Sequence, residues 1–260
     1  MDILNVLKYA YKNGCPFDEH TFKYSTCGGI ECLKYVHDNG CALRGKKIFL
    51  HNSYIKSYHS IFLNNEVNCY APCMDSIIEY LKYLHDNICE IIFVDNMYDA
   101  IIKNGCVESI KFMHKIGKLK DDACEKFARY GHPSCLEYAY KNGYPWDKEI
   151  CSNIVYIVDF RDHILYIHRA ELRYDFNNSM ACLKYAHANG CSWDEYTCRW
   201  AATCGNIKCL KYLHEYGCPW DEKTCYYASV NNKLNCLKYA YKNGCPCDEI
   251  IIEKHKLGTR

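Results

Sequence analysis

The chain has 260 residues, with 32 Lys and Arg against 31 Asp and Glu, so its formal charge of +1 supplies no basic field of the kind nucleic-acid binding requires. Apolar residues at 49% and charged residues at 24% give the composition of a folded soluble protein, long enough to bury a substantial core. No stretch nears the ~20 apolar residues of a membrane span, and "MDILNVLKYAYKNGC" lacks a basic leader followed by an apolar core; the expectation is an intracellular, cytoplasmic protein.

From the N-terminus onward one pattern returns. Aligned on the residue before "LKY" or its variants, units start at Val6, Cys32, Tyr80, Ser109, Cys135, Cys182, Cys209 and Cys236, at intervals of 26, 48, 29, 26, 47, 27 and 27. The two near-double intervals each hold a faint copy, "YIKSYHS" from Tyr54 and "HILYIHR" from His163, with His59 and His168 five residues after the start, as at His37, His85, His187 and His214. About ten units then fill residues 1–260 as a single array, clear over 1–41 and 182–249 and degenerate in 42–79 and 152–181.

Each unit reads as two helices. In "NIKCLKYLHEYG", Ile207, Leu210, Leu213 and His214 recur at helical steps with Lys208, Lys211 and Glu215 between them, a helix buried along one stripe that ends at Gly217. Pro219 opens a tight connection, and Asp221 is placed to cap the next, shorter helix, which in the unit from Cys182 reads "TCRWAATCG" and ends at Gly205. Asn232 and Asn178 are expected to take the place of that glycine in other units. Helices this short are marginal alone and gain stability from stacked neighbours.

These residues carry a resemblance. "AATCGNIKCLKYLHEYGC" resembles the second half of an ankyrin repeat, with paired Ala201 and Ala202, then Gly205, the apolar positions Cys209, Leu210 and Leu213, and Gly217. The period of 26 to 29 is shorter than the ~33 residues of that family; Thr197 and Thr224 remain, but the residues after them differ, so the finger between units is expected to be shortened or absent. Cysteine-rich units such as "CLKYAHANGCSWDE" look like the ankyrin-related arrays that giant DNA viruses encode. The fold implied is an all-α, ankyrin-like helical-hairpin solenoid.

Four potential ligands in one unit, Cys182, His187, Cys191 and Cys198, raise the question of zinc. Positions five apart on a helix diverge by roughly 140°, Cys182 and Cys191 stand about 13 Å apart along it, and neighbouring helices are separated by ~8–10 Å, too far for shared ligation or a disulfide. The 21 cysteines, odd in number and in a long chain, read as reduced thiols acting as small buried hydrophobes. A zinc-binding Cys/His module and a cysteine enzyme, with Cys124 or Cys151 as its thiol, are the alternatives. Repetition of one Cys and one His favours structure over catalysis.

The repeated histidines, replaced by Tyr11, Tyr140 and Tyr241 in other units, are expected to hydrogen-bond a loop of the next unit. Lys8, Lys34, Lys82, Lys111, Lys184, Lys211 and Lys238 form a ridge read as a solvated flank, diluted by Glu31, Glu79 and Glu215. Turn aromatics Phe17, Trp146, Trp193 and Trp220 read first as packing between units. If the first helices line the concave side, as the resemblance implies, Trp193, Asp194, Arg199, Trp200, Trp220, Asp221, Lys223 and Tyr226 are the candidate partner-binding residues. The function expected is a monomeric, non-enzymatic protein-interaction module without a cofactor or metal, contacting neither nucleic acid nor membrane, and in a viral setting an adaptor for host proteins in the host cytoplasm.

Overall fold

A computed structural model describes residues 2–25, 28–41, 47–51, 66–70, 77–87, 91–93, 97–147, 150–156 and 176–258. It is predominantly helical and divides into two units, Met1–Leu119 and Lys120–Arg260.

In the second unit the helices alternate between two roles. First helices are α7 (Ala123–Tyr130), α9 (Ile150–Tyr156), α11 (Glu195–Cys204), α13 (Glu222–Val230) and α15 (Glu249–His255); second helices are α8 (Pro133–Lys141), α10 (Phe176–Ala188), α12 (Ile207–Glu215) and α14 (Leu234–Lys242). Each first helix packs on the next first helix, α7 on α9, α9 on α11, α11 on α13 and α13 on α15. The second helices form a parallel row, α8 on α10, α10 on α12 and α12 on α14. Hairpin contacts such as α7 with α8 and α11 with α12 tie the rows together. The result is a stack of helical hairpins.

The local signals act as read. Asp194 caps α11 in a reciprocal box with Thr197, and Gly205 closes the helix at φ 77°. Asn232 takes a left-handed conformation at φ 53°, as expected, whereas Asn178 lies inside α10. The buried stripe repeats in register: Cys209, Leu210 and Leu213 of α12 and Cys236, Leu237 and Ala240 of α14 are all 0% exposed.

The first unit holds α1 (Ile3–Lys12), α2 (Glu19–Ser25), α3 (Ile30–Asp38), α4 (Ile77–Asn87), α5 (Met97–Asn104) and α6 (Val107–Lys115). It also holds strands β1 (Lys47–His51), β2 (Glu66–Tyr70) and β3 (Ile91–Phe93), paired in parallel in the order β2-β1-β3. This small sheet departs from the all-α expectation. β-branched and aromatic residues in "KIFLH" and "EVNCY" suit pleated backbone, and β2 rather than a helix lies against α2.

Every unit start from Val6 to Cys236 falls on a helix of the second type or its counterpart, α1, α3, α4, α6, α8, α10, α12 and α14. Across the near-double intervals the flanking helices lie close together: α8 and α10 are in contact, α9 and α10 pack together, and His37 of α3 hydrogen-bonds Tyr83 of α4 at 2.6 Å. The faint copies around Tyr54 and His163 lie outside the described residues.

Deleting Leu210 to alanine should therefore cost about 2–5 kcal/mol of stability, while Lys208→Ala, at an exposed position, should stay within about 0.5 kcal/mol; urea unfolding of both variants measures the contrast.

Candidate functional site

At successive steps between second helices of the second unit, α8 to α10, α10 to α12 and α12 to α14, a ring from one helix meets a ring from the next. His187 of α10 hydrogen-bonds Tyr212 of α12 through Nδ1 at 3.0 Å, and His214 of α12 does the same with Tyr239 of α14 at 3.0 Å. The expected partner changes: it is a tyrosine on the next helix rather than a loop. Burial raises the pKa of Tyr212 and Tyr239, and pushes Tyr83 up to about 12, so each phenol stays protonated and can donate to the imidazole nitrogen.

Turn aromatics complete these clusters. Trp220 stacks on His214 with centroids 4.0 Å apart and planes at 14°, and meets Tyr239 at 6.3 Å. Trp193 lies 3.9 Å from His187, Trp146 stacks on Tyr140 at 3.8 Å, and Phe17 sits 5.4 Å from Tyr11. Lys8, Lys184 and Lys211 lie over the rings of Tyr35, Tyr212 and Tyr239 at 6.0, 5.8 and 5.6 Å. Lys34 and Lys111 pair with Glu31 and Glu108 within their own helices. Much of the lysine ridge is thus engaged within the fold.

The thiols have partners of their own. Cys41, Cys218 and Cys245 donate to the backbone oxygens of Asp18, Asp194 and Asp221, at 3.2, 3.2 and 3.1 Å, fastening each turn to the preceding one. Cys151 lies beside Cys191, and Cys198 donates to the Cys218 carbonyl at 3.9 Å, with none of the four in a disulfide. The proposed zinc ligands go to separate places: Cys182 is buried near Cys135 and Cys209, His187 faces Tyr212, Cys191 faces Cys151 and Cys198 faces Cys218. Among the described residues no three His, Cys, Asp or Glu side chains converge as a metal site.

Burial pushes Cys124, Cys182, Cys209 and Cys236 up to about 12. Cys124 donates to the Tyr144 carbonyl at 3.3 Å, and Cys151 is raised by its hydrogen bond to Cys191 and by burial. A nucleophile needs the thiolate, which these environments oppose.

Of the eight candidate contact residues, five serve the frame. Trp193 and Trp220 are half-buried in the ring clusters; Asp194 caps α11; Arg199, 8% exposed, grips Asp221 through Nε at 2.9 Å and through its second nitrogen, its guanidinium 4.4 Å over the Tyr196 ring. Asp221 stands at the N-cap of α13, but its carboxylate turns to Arg199 instead of the helix start. The remaining three, Trp200, Lys223 and Tyr226, lie on first helices, half-buried or exposed.

Around Lys223 and Tyr226 stand residues that sequence reasoning missed, Tyr227, Val230, Tyr196 and Ile250. On α13, Lys223, Tyr226, Tyr227 and Val230 follow at helical steps and all face solvent, with Tyr226 52%, Tyr227 39% and Val230 53% exposed. On the flanking helices Tyr196 of α11 and Ile250 of α15, at the register position of Lys223, are 53% and 74% exposed. The clue lay in the inverted pattern of "EKTCYYASV": Thr224, Cys225, Ala228 and Ser229 fill the core, leaving the larger rings outside. Between α13 and α15, Ser229 hydrogen-bonds His255 Nε2 at 2.8 Å.

The second unit is thus a stack of helical hairpins with exposed aromatic residues on its first helices. Comparison with family models, curated proteins and solved structures finds no match to this chain. No helix among the described residues is long and apolar enough to cross a membrane.

Two tests follow from this geometry. Arg199 lowers the Asp221 carboxyl below its ordinary value of 3.8, so the pair stabilises the fold above that value and loses its contribution as pH falls through the depressed folded-state pKa. Asp221→Asn should cost about 1–2 kcal/mol near neutral pH, moderated by solvent at the partly exposed carboxylate, and the gap to the parent should close under acid; urea melts across that range measure it. In native protein treated with N-ethylmaleimide, exposed Cys15 should label well before Cys124, Cys182 and Cys209, as mass spectrometry of timed samples will show.

Proposed function

We propose that the chain is an ankyrin-like, non-enzymatic interaction module that binds a protein partner along its first-helix row. The carrying observation is the stripe Tyr226, Tyr227 and Val230 with Lys223 on α13, flanked by Tyr196 and Trp200 of α11 and by Ile250 of α15. Large rings held in solvent on a stacked frame supply contact area at low entropic cost, and tyrosine and tryptophan are the residues that dominate interface energetics. Repetition supports this reading over catalysis, since His187 and His214 are spent on tyrosines of the next unit and Cys218 and Cys245 on carbonyls of the preceding turn.

The partner class is a protein with an apolar patch matching the stripe; the reading includes a cytoplasmic location and needs no cofactor. The narrower version, an adaptor through which a virus engages host proteins, rests on the resemblance of "CLKYAHANGCSWDE" to arrays of giant DNA viruses.

The test compares capture of proteins from host-cell lysate by the parent chain, by Tyr226→Ser/Tyr227→Ser/Val230→Ser and by Lys211→Glu on the opposite row. Capture should drop at least tenfold for the triple variant and persist for Lys211→Glu, with both melting near the parent. Equal capture by parent and triple variant would refute the assignment of the surface.

A further inference from the structure

The lysine that recurs two places after each unit start is treated differently in the two halves of the chain. In the first unit Lys34 of α3 and Lys111 of α6 pair with Glu31 and Glu108, three residues earlier on the same helix, at 3.0 and 2.7 Å. Glu79 stands at the same place before Lys82 of α4. In the second unit the corresponding lysines are Lys184 of α10, Lys211 of α12 and Lys238 of α14, and the residues three places before them are Ala181, Lys208 and Asn235. The neutralising acid is gone from all three helices. Lys184, Lys211 and Lys238 are exposed and form no ion pair among the described residues.

The near-neutral total charge therefore conceals a local imbalance. Helices α10, α12 and α14 together carry five lysines, Lys184, Lys208, Lys211, Lys238 and Lys242, against one glutamate, Glu215. Lys184 and Lys211 lie over the rings of Tyr212 and Tyr239 at 5.8 and 5.6 Å, which positions each ammonium without cancelling its charge. Because α10 packs on α12 and α12 on α14, the register lysines follow one another at the separation of packed helices, ~8–10 Å. On α8 the same register position holds Glu137, paired with Lys141 at 2.7 Å, so the basic ridge ends before that helix.

We propose that this ridge is a second docking surface, for an extended acidic protein segment with Asp or Glu at every third residue. A polyproline II chain turns once in three residues and rises 3.1 Å per residue, so such carboxylates lie along one side at intervals of about 9 Å. That interval matches the helix row, and each carboxylate meets one ammonium. Two of the three lysines are already held by a ring, which lowers the cost of ordering them on binding. A nucleic-acid strand fits worse, since its phosphates follow at about 3.4 Å along the duplex axis and a continuous run of charge would meet Glu215 and Glu137. The surface is independent of the first-helix stripe, whose residues take no part.

The experiment is fluorescence anisotropy of a labelled peptide of four Glu-Pro-Pro repeats titrated with the full chain at low ionic strength. The parent should bind this peptide, more weakly as salt rises, and should prefer it to a block peptide of the same composition in which the glutamates are contiguous. Lys184→Gln/Lys211→Gln/Lys238→Gln should lose about tenfold or more in affinity. So should Lys208→Glu/Asn235→Glu, which keeps the three lysines and their ring contacts but places an acid three residues before two of them, as in α3 and α6. Circular dichroism confirms that each variant is folded. Lys34→Gln and Tyr226→Ser/Tyr227→Ser/Val230→Ser should bind as the parent does, which separates this surface from the first-helix assignment. No binding by the parent, undiminished binding by either ridge variant, or equal binding of the block peptide overturns the proposal. Tighter binding of a labelled oligonucleotide than of the peptide also overturns it and assigns the ridge to nucleic acid.

Discussion

A helix of nine residues, such as α12 or α14, does not hold together in water by its own hydrogen bonds. The structure therefore depends on one constraint: each such helix must bury its stripe against the helices before and after it. From this follow the uniform register of Cys209, Leu210 and Leu213 with their equivalents, the choice of small thiols where helices approach closely, and the polar links that fix spacing. A thiol at the turn gives a methyl-sized filler that can also donate a weak hydrogen bond, which explains why Cys218 and Cys245 reach the carbonyls of Asp194 and Asp221. Valine would fill the same volume and leave those carbonyls without that donor.

The ring clusters solve a second problem. Second helices present polar faces outward, yet something must set the angle at which each meets the next. An imidazole stacked on an indole and hydrogen-bonded to a buried phenol does this with directional geometry that aliphatic packing lacks. Where α6 substitutes Phe112 for the tyrosine, His85 still meets the ring edge-on at 5.6 Å, so shape survives when the hydroxyl is gone.

Much of this was legible in the residues. Local signals decide helix starts and stops, and so Asp194 with Thr197, Gly205 and Gly217 mark real boundaries. What the sequence could not reveal depended on who stands next to whom. Asp221 looks like a cap in its own segment, but Arg199, 22 residues earlier, competes for its carboxylate. The Cys218 thiol likewise serves the Asp194 carbonyl, 24 residues earlier, a partner that spacing within one unit does not disclose. On α13 the sequence put forward Lys223 and Tyr226 but not Tyr227 and Val230, because only burial of the smaller Thr224, Cys225, Ala228 and Ser229 identifies the full outward side.

The two long intervals show what sets neighbours in the row. Helix α8 is seated directly on α10, and α3 is joined to α4 through His37 and Tyr83, although each pair stands further apart in sequence than other neighbours. The entropic penalty of closing a longer loop grows only with the logarithm of its length, so contact between two second helices survives wide separation along the chain at little thermodynamic cost. Adjacency in the row is thus set by matching faces rather than by a fixed count of residues.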